Sequence, residues 1–159
     1  MTKEQFILEL KGQQEPLRRF LLALCNGDSF EADDIAQEAS VKAWISIEHF
    51  RGSSKFSTWL FKIAYNTWCD SRNRRAVPCS LDGPEAESQE SDAEADERFK
   101  YQDLYHALSS LSPNEKAVIL LFYMEDRSIK EIASITGMPA GTIKSLLSRG
   151  RSKLKIELK

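Results

Sequence analysis

"SIKEIASITGMPAGTIKSLLSRGRSKL", Ser128 to Leu154, is the stretch whose reading decides the fold. Ser128 with Glu131 three residues later forms a capping box, in which a hydroxyl and a carboxylate satisfy the open amides of a helix start. Gly137 suits the left-handed turn that closes that helix, and Pro139 restarts the chain. The first helix turns Ile129, Ile132 and Ala133 inward, with Met138 a buried-type residue in the turn. In the second, Ile143, Leu147, Gly150 and Leu154 fall at i, i+4, i+7 and i+11, a narrow wedge that docks on the rest of the body. Two such helices across a glycine turn are a helix-turn-helix.

The opposite face of the second helix carries Thr142, Ser145, Ser148, Arg149 and Ser152, with Lys144 and Lys155 toward one flank. These side chains are small, hydroxylated or cationic and can approach phosphates and base edges in a major groove. A merely solvated basic face would carry the same charges. Cap, turn and apolar stripe in register favour duplex DNA binding.

Upstream, "SPNEKAVILLFYM" repeats the capping device with Ser112, Pro113 and Glu115, behind a helix around "RFKYQDLYHALSSL". Residues 98–159 hold 11 Lys and Arg against 6 acids, whereas residues 76–97, "AVPCSLDGPEAESQESDAEADE", hold 8 acids and no base. That segment has little to bury and reads as a flexible acidic linker. Residues 1–75 are near neutral, with 11 basic and 10 acidic residues, so the formal net charge of -2 hides a sharp partition. No stretch alternates with period two. The expected fold is all-α: two small helical domains, 1–76 and 98–159, joined by linker 77–97.

In the N-terminal domain four helices are expected. "KEQFILELK" aligns Phe6, Ile7 and Leu10, and "PLRRFLLALC" opens a second helix at Pro16 with Leu17, Phe20, Leu21 and Leu24 on one face. "NGDS" breaks the chain before "EADDIAQEASVKAWISI". That third helix has an inner stripe of Ile35, Ala39 and Ala43 and a mixed outer face of Asp34, Gln37, Val41 and Trp44, typical of a protein contact. Trp44 either joins that contact or tucks under the first helices. After the loop "FRGSSKF", the fourth helix "STWLFKIAYNTWCDSRNRR" turns Leu60, Ile63, Ala64 and Thr67 one way. It turns Lys62, Asn66, Cys69 and Asn73 the other, with Trp59 at the edge and Arg72, Arg74 and Arg75 at the end. Amide, cation and aromatic together suit single-stranded DNA. Phe61 and Trp68 read as core; for Asn66 the pattern alone does not decide.

Several classes are excluded. No apolar run is long enough to cross a membrane and no signal-peptide pattern opens the chain, so a cytoplasmic protein is expected. Cys25, Cys69 and Cys79 are scattered and odd in number, which argues for reduced thiols rather than zinc or disulfides. A nuclease using Asp33, Asp34 and Glu38 is disfavoured: those acids open a helix, where they suit the dipole, and His49 and His106 are isolated. No enzyme activity, metal or cofactor is expected.

"ADDIAQEASVKAW", "FRGSSKFSTWLFKIAYNTWCDSRNRR" and "LSSLSPNEKAVILLFYMEDRSIKEIASITGMPAGTIKSLLSRGRSKL" together resemble the extracytoplasmic-function (ECF) family of bacterial RNA polymerase sigma factors, in order and over nearly the whole chain. The resemblance implies two helical domains, regions two and four, that bind core RNA polymerase and recognise the minus-10 and minus-35 elements of promoter DNA. It implies polymerase contacts at Asp34, Gln37, Glu38 and Val41, to the β′ clamp helices, with further contacts to the β subunit. It implies minus-10 capture by the Arg51–Phe56 loop, including Lys55 and Phe56, with Trp59 and Asn66 behind it and Lys62, Arg72, Arg74 and Arg75 on the backbone. It implies minus-35 contacts at Thr142, Lys144, Ser145, Ser148, Arg149 and Arg151. A free monomer, held inactive by an anti-sigma protein that is often membrane-bound, is also implied. The chain departs from the family at Leu146, where Arg is common, and at Ser148 and Gly150, where larger residues are common. Leu146 flanks the buried stripe and can enlarge the core. The competing reading is a polymerase-independent helix-turn-helix regulator, in which neither the Asn66 helix nor the acidic tether has a task.

Overall fold

The computed structural model describes residues 1–76, without the side chains of 75 and 76, and residues 102–157. The expected linker 77–97 and the residues from 98 to 101 lie outside the described residues. Among the described residues every regular element is helical. In the N-terminal domain these are α1 (Lys3–Leu24), α2 (Ser29–Ile45), a 3-10 turn at Ile47–His49, and α3 (Phe56–Ala76). In the C-terminal domain they are α4 (Gln102–Ser109), α5 (Pro113–Ile119) running into a π turn at Leu120–Met124, α6 (Ile129–Thr136) and α7 (Ala140–Glu157).

The two expected first helices are one. Pro16 sits inside α1 rather than at its start. It removes one amide from the ladder, leaving the carbonyl four residues back, on Gly12, without that donor. Gly12 is exposed, so water can serve it. The gain outweighs the loss because Phe6 and Leu17 are eleven residues apart, about 20° apart on a helix wheel. A continuous helix therefore buries both, with Phe20, Leu21 and Leu24, on one face. Thr2 and Gln5 make a capping box at its start.

The chain turns at Asn26 and Gly27, both at positive φ, and Asp28 caps α2 by accepting from the Glu31 amide. The buried stripe of α2 is Ala32, Ile35, Ala39 and Ala43. Small residues let α2 lie close against both α1 and α3. Phe20 meets Phe61 at 5.3 Å between ring centroids, and Phe6 meets Phe56 at 5.7 Å.

In the C-terminal domain, Ser112–Glu115 and Ser128–Glu131 both form complete capping boxes. Gly137 closes α6 at φ 75°, in the left-handed region glycine favours. Helix α7 crosses α5 at Gly150, where an added Cβ would lie 2.7 Å from Cγ1 of Ile119. Glu115, buried beside this crossing, accepts from Nζ of Lys153 on α7 at 2.6 Å. The two domains also pack together, α6 lying along α3.

Two predictions follow from the α5–α7 crossing. Gly150→Val should cost about 1–3 kcal/mol by overpacking, and less in an Ile119→Ala background. Equal losses in both backgrounds, by chemical denaturation, would locate the cost elsewhere. Burial disfavours the charge on Glu115, but its bonds to Lys153 and to the Ser112 amide and hydroxyl outweigh this and hold the carboxyl below its usual range. A depressed folded pKa gives stability that is present above the unfolded value and lost as pH falls through the folded one. The C-terminal domain should therefore weaken as pH drops below about 4.3, and Glu115→Gln should flatten that acid limb. An identical limb in the variant would discount the pair.

Candidate nucleic-acid and partner interfaces

The recognition face of α7 is built by its buried side. Ile143, Leu146, Leu147 and Gly150 face the domain core, which leaves Thr142, Lys144, Ser145, Ser148, Arg149 and Arg151 all exposed on the other side. Leu146 is 6 % exposed, so it enlarges the core as its place on the wheel suggested. The Ser145 hydroxyl donates to the Gly141 carbonyl and Ser152 to Ser148, which leaves both oxygens able to accept. Arg151 lies over the Tyr123 ring at 5.9 Å. The single acid of α7 is Glu157, at its far end. The exposed face is thus a positive strip with small hydroxyl side chains toward the first turns, matched in charge to a phosphate backbone.

On α3, Lys62 and Asn66 are exposed on the outer face and Trp59 is half-buried at its edge. Lys55 is exposed just before the helix. Phe56 departs from the expected DNA contact. It is 6 % exposed, with its ring edge-on to both Phe6 and Phe50, because the loop turns it inward. Its ring also lies 5.8 Å from that of Trp59, tilted by 49°, so the two rings pack together. Arg72 is stacked over Trp68 at 4.9 Å, and Trp68 and Phe61 are core, as read from the sequence. Arg74 reaches Glu38 on α2 at 3.4 Å. Arg75 is in the last turn of α3, and its side chain lies outside the described residues.

The outer face of α2 presents Asp34, Gln37 and Val41, all exposed. Trp44 answers both of its readings: one edge meets Phe6 at 5.3 Å, yet 39 % of the residue is exposed, with the Lys3 ammonium 5.7 Å from its ring. Phe30 and Ile45, exposed at 60 % and 72 %, extend the same stripe at either end. The sequence reading missed both, although the i, i+4, i+7, i+11, i+15 spacing from Phe30 through Asp34, Gln37 and Val41 to Ile45 signals them. Glu38 is held by Lys42 and Arg74. Asp33 pairs with Arg18 at 3.2 Å, so this acid at the start of α2 serves a structural pair. Among the described residues no three His, Cys, Asp or Glu side chains gather as a metal site would require. No helix among them is long and apolar enough to cross a membrane.

Comparison with known proteins accounts for both halves. Residues 13–77 match the family model "Sigma-70 region 2" and residues 101–154 the model "Sigma-70, region 4". The ECF RNA polymerase sigma factor SigW of Bacillus subtilis is 32% identical over 146 residues, covering 84% of this chain and 78% of the relative. The ECF RNA polymerase sigma-E factor of Escherichia coli is 32% identical over 139 residues, covering 79% and 73%. Among solved structures, the sigma factor RpoE in complex with the anti-sigma factor NepR from Bartonella quintana matches with a TM-score of 0.72 at 28% identity, over 98% of this chain and 95% of that one. CnrH in complex with the cytosolic domain of CnrY shares the fold, with a TM-score of 0.76 at 22% identity over 99% and 89%. Sigma factors are transcription initiation factors rather than catalysts. With both sigma-70 regions in order, each on the helices that carry its exposed polar face, this chain belongs to the ECF family of RNA polymerase sigma factors.

Proposed function

We propose that this sigma factor docks on the β′ clamp helices of core RNA polymerase through the outer face of α2. Asp34, Gln37 and Glu38 supply the polar contacts there, and Val41 supplies apolar area. Phe30 and Ile45 extend that surface at its two ends. The C-terminal domain touches the β subunit and lays α7 in the minus-35 major groove, with Thr142, Lys144, Ser145, Ser148, Arg149 and Arg151 toward phosphates and base edges. The minus-10 element is opened at α3. Extruding a base costs on the order of a few kcal/mol, and pyrimidine–purine steps yield most easily. Asn66 takes the edge of the extruded base, Trp59 offers a stacking surface, and Lys55, Lys62, Arg72, Arg74 and Arg75 follow the strand.

The observation that carries this reading is the pairing of two outward faces of different chemistry. The α7 face is cationic and hydroxylated, suited to duplex DNA. The α3 face joins an amide, an indole and cations, suited to an unpaired strand. A regulator that only binds duplex needs the first and has no use for the second. Because the RpoE relative is seen with an anti-sigma factor, an anti-sigma partner, membrane-bound or not, is also proposed for this chain. It acts in the cytoplasm, where polymerase and promoter are.

Asn66→Ala should leave core-polymerase binding intact and lower open-complex formation, read as permanganate reactivity of promoter thymines. Equal reactivity would remove Asn66 from the mechanism. Arg149→Ala should weaken promoter binding and reduce the slope of log affinity against log salt by about 1; an unchanged slope would mean that Arg149 touches no phosphate.

A further inference from the structure

The exposed face of α7 divides into a midline and two flanks. Ser145, Ser148 and Ser152 lie within about 60° of one another around the helix and form the midline. Lys144, Arg151 and Lys155 lie about 50–90° to one side of it, and all six residues are exposed. A helix seated in a major groove turns its midline toward base edges and its flanks toward the phosphate strands. Arg151 is therefore placed for a phosphate rather than a base. Lys153, in contrast, is tied to Glu115 in the domain's own packing. Among the described residues Arg151 pairs with no carboxylate, and the group it meets is an aromatic ring, 5.9 Å away.

That ring belongs to Tyr123, in the π turn that ends α5. Tyr123 is 55 % exposed, so burial in the core does not account for an aromatic residue there. The ring is held from one side by Phe122, edge-on at 5.0 Å. The turn is closed behind it by the Glu125 amide, which donates to the Leu120 carbonyl at 3.1 Å, and by the Arg127 amide, which donates to Leu121 at 2.9 Å. Tyr123 stands one turn beyond Ile119, the residue that α7 crosses at Gly150. The crossing that sets the depth of α7 thus also brings Tyr123 up to its flank. Turns of this kind recur at functional sites.

A free arginine side chain loses rotamer freedom when an interface immobilises it. A ring that faces the guanidinium restricts it before DNA arrives. Unlike a carboxylate, the ring does so without neutralising the charge that a phosphate needs. We infer that Tyr123 is a positioning residue for promoter binding: it holds Arg151 at the flank of α7, where the guanidinium takes a phosphate of the minus-35 duplex. This rests on the minus-35 reading of α7.

The test is the affinity of the reconstituted holoenzyme, over a range of salt, for a duplex that the wild-type holoenzyme selects from a random pool. Arg151→Ala should reduce the slope of log affinity against log salt by about 1. Tyr123→Leu removes no charge, yet it should lower affinity by about two- to five-fold, with an unchanged helical circular-dichroism signal. Tyr123→Phe, which keeps the ring, should stay within about two-fold of the wild type. In an Arg151→Ala background, Tyr123→Leu should lower affinity no further. A merely structural role for Tyr123 would give the same loss in both backgrounds, and that result would overturn the inference. Loss from Arg151→Ala with none from Tyr123→Leu would strike the positioning role alone. Wild-type affinity and slope in Arg151→Ala would strike the minus-35 reading of this flank, and the positioning role with it.

Discussion

The close crossing of α7 over α5 fixes the rest of the C-terminal domain. At Gly150 there is no room for a side chain, because the Ile119 side chain fills the space a Cβ would need. One residue-sized gap thus sets how near the recognition helix lies to its support. Glu115 sets its rotation: one carboxylate oxygen closes the cap of α5 and receives Lys153 from α7. That bond ties one cation of α7, Lys153, to the domain's own packing. The direction of the exposed strip follows from these contacts rather than from any property of the strip.

The N-terminal domain solves a related problem with alanine. A helix between two others must be thin on two sides, and Ala32, Ala39 and Ala43 make α2 thin. Three larger residues, Phe30, Val41 and Ile45, are left on the third side, exposed, while Ile35 is buried. Such a stripe would be a liability on an isolated protein of this size, and it is sensible on one whose working form is a complex. Glu38 also ties the α2 face to the end of α3 through Arg74, so the surfaces assigned to polymerase and to the minus-10 strand share an ion pair.

Much of this was legible in the sequence because it is local. The capping boxes, the left-handed Gly137 and the apolar wedge of α7 each depend on residues within about three turns of one another. The family resemblance then assigned roles that spacing alone could not. What was missed depended on distance or on weighing two local signals. Pro16 reads as a start until the common phase of Phe6 and Leu17 is noticed. Phe56 reads as a loop tip, and only the rings of Phe6 and Phe50 show that it turns inward. Arg127 carries no local mark, since its hydroxyl partner, Ser57, lies 70 residues away.

The packing of the two domains leaves the outer faces open. Lys62 and Asn66 on α3, and Thr142 and Arg149 on α7, are all exposed with the domains together. The bonds that join the domains come from the inner side of each: Ser57 and Thr58 at the start of α3, Leu24 and Asn26 at the end of α1, Lys116 in α5. The contacts between the domains and the faces assigned to DNA thus use different sides of the same helices.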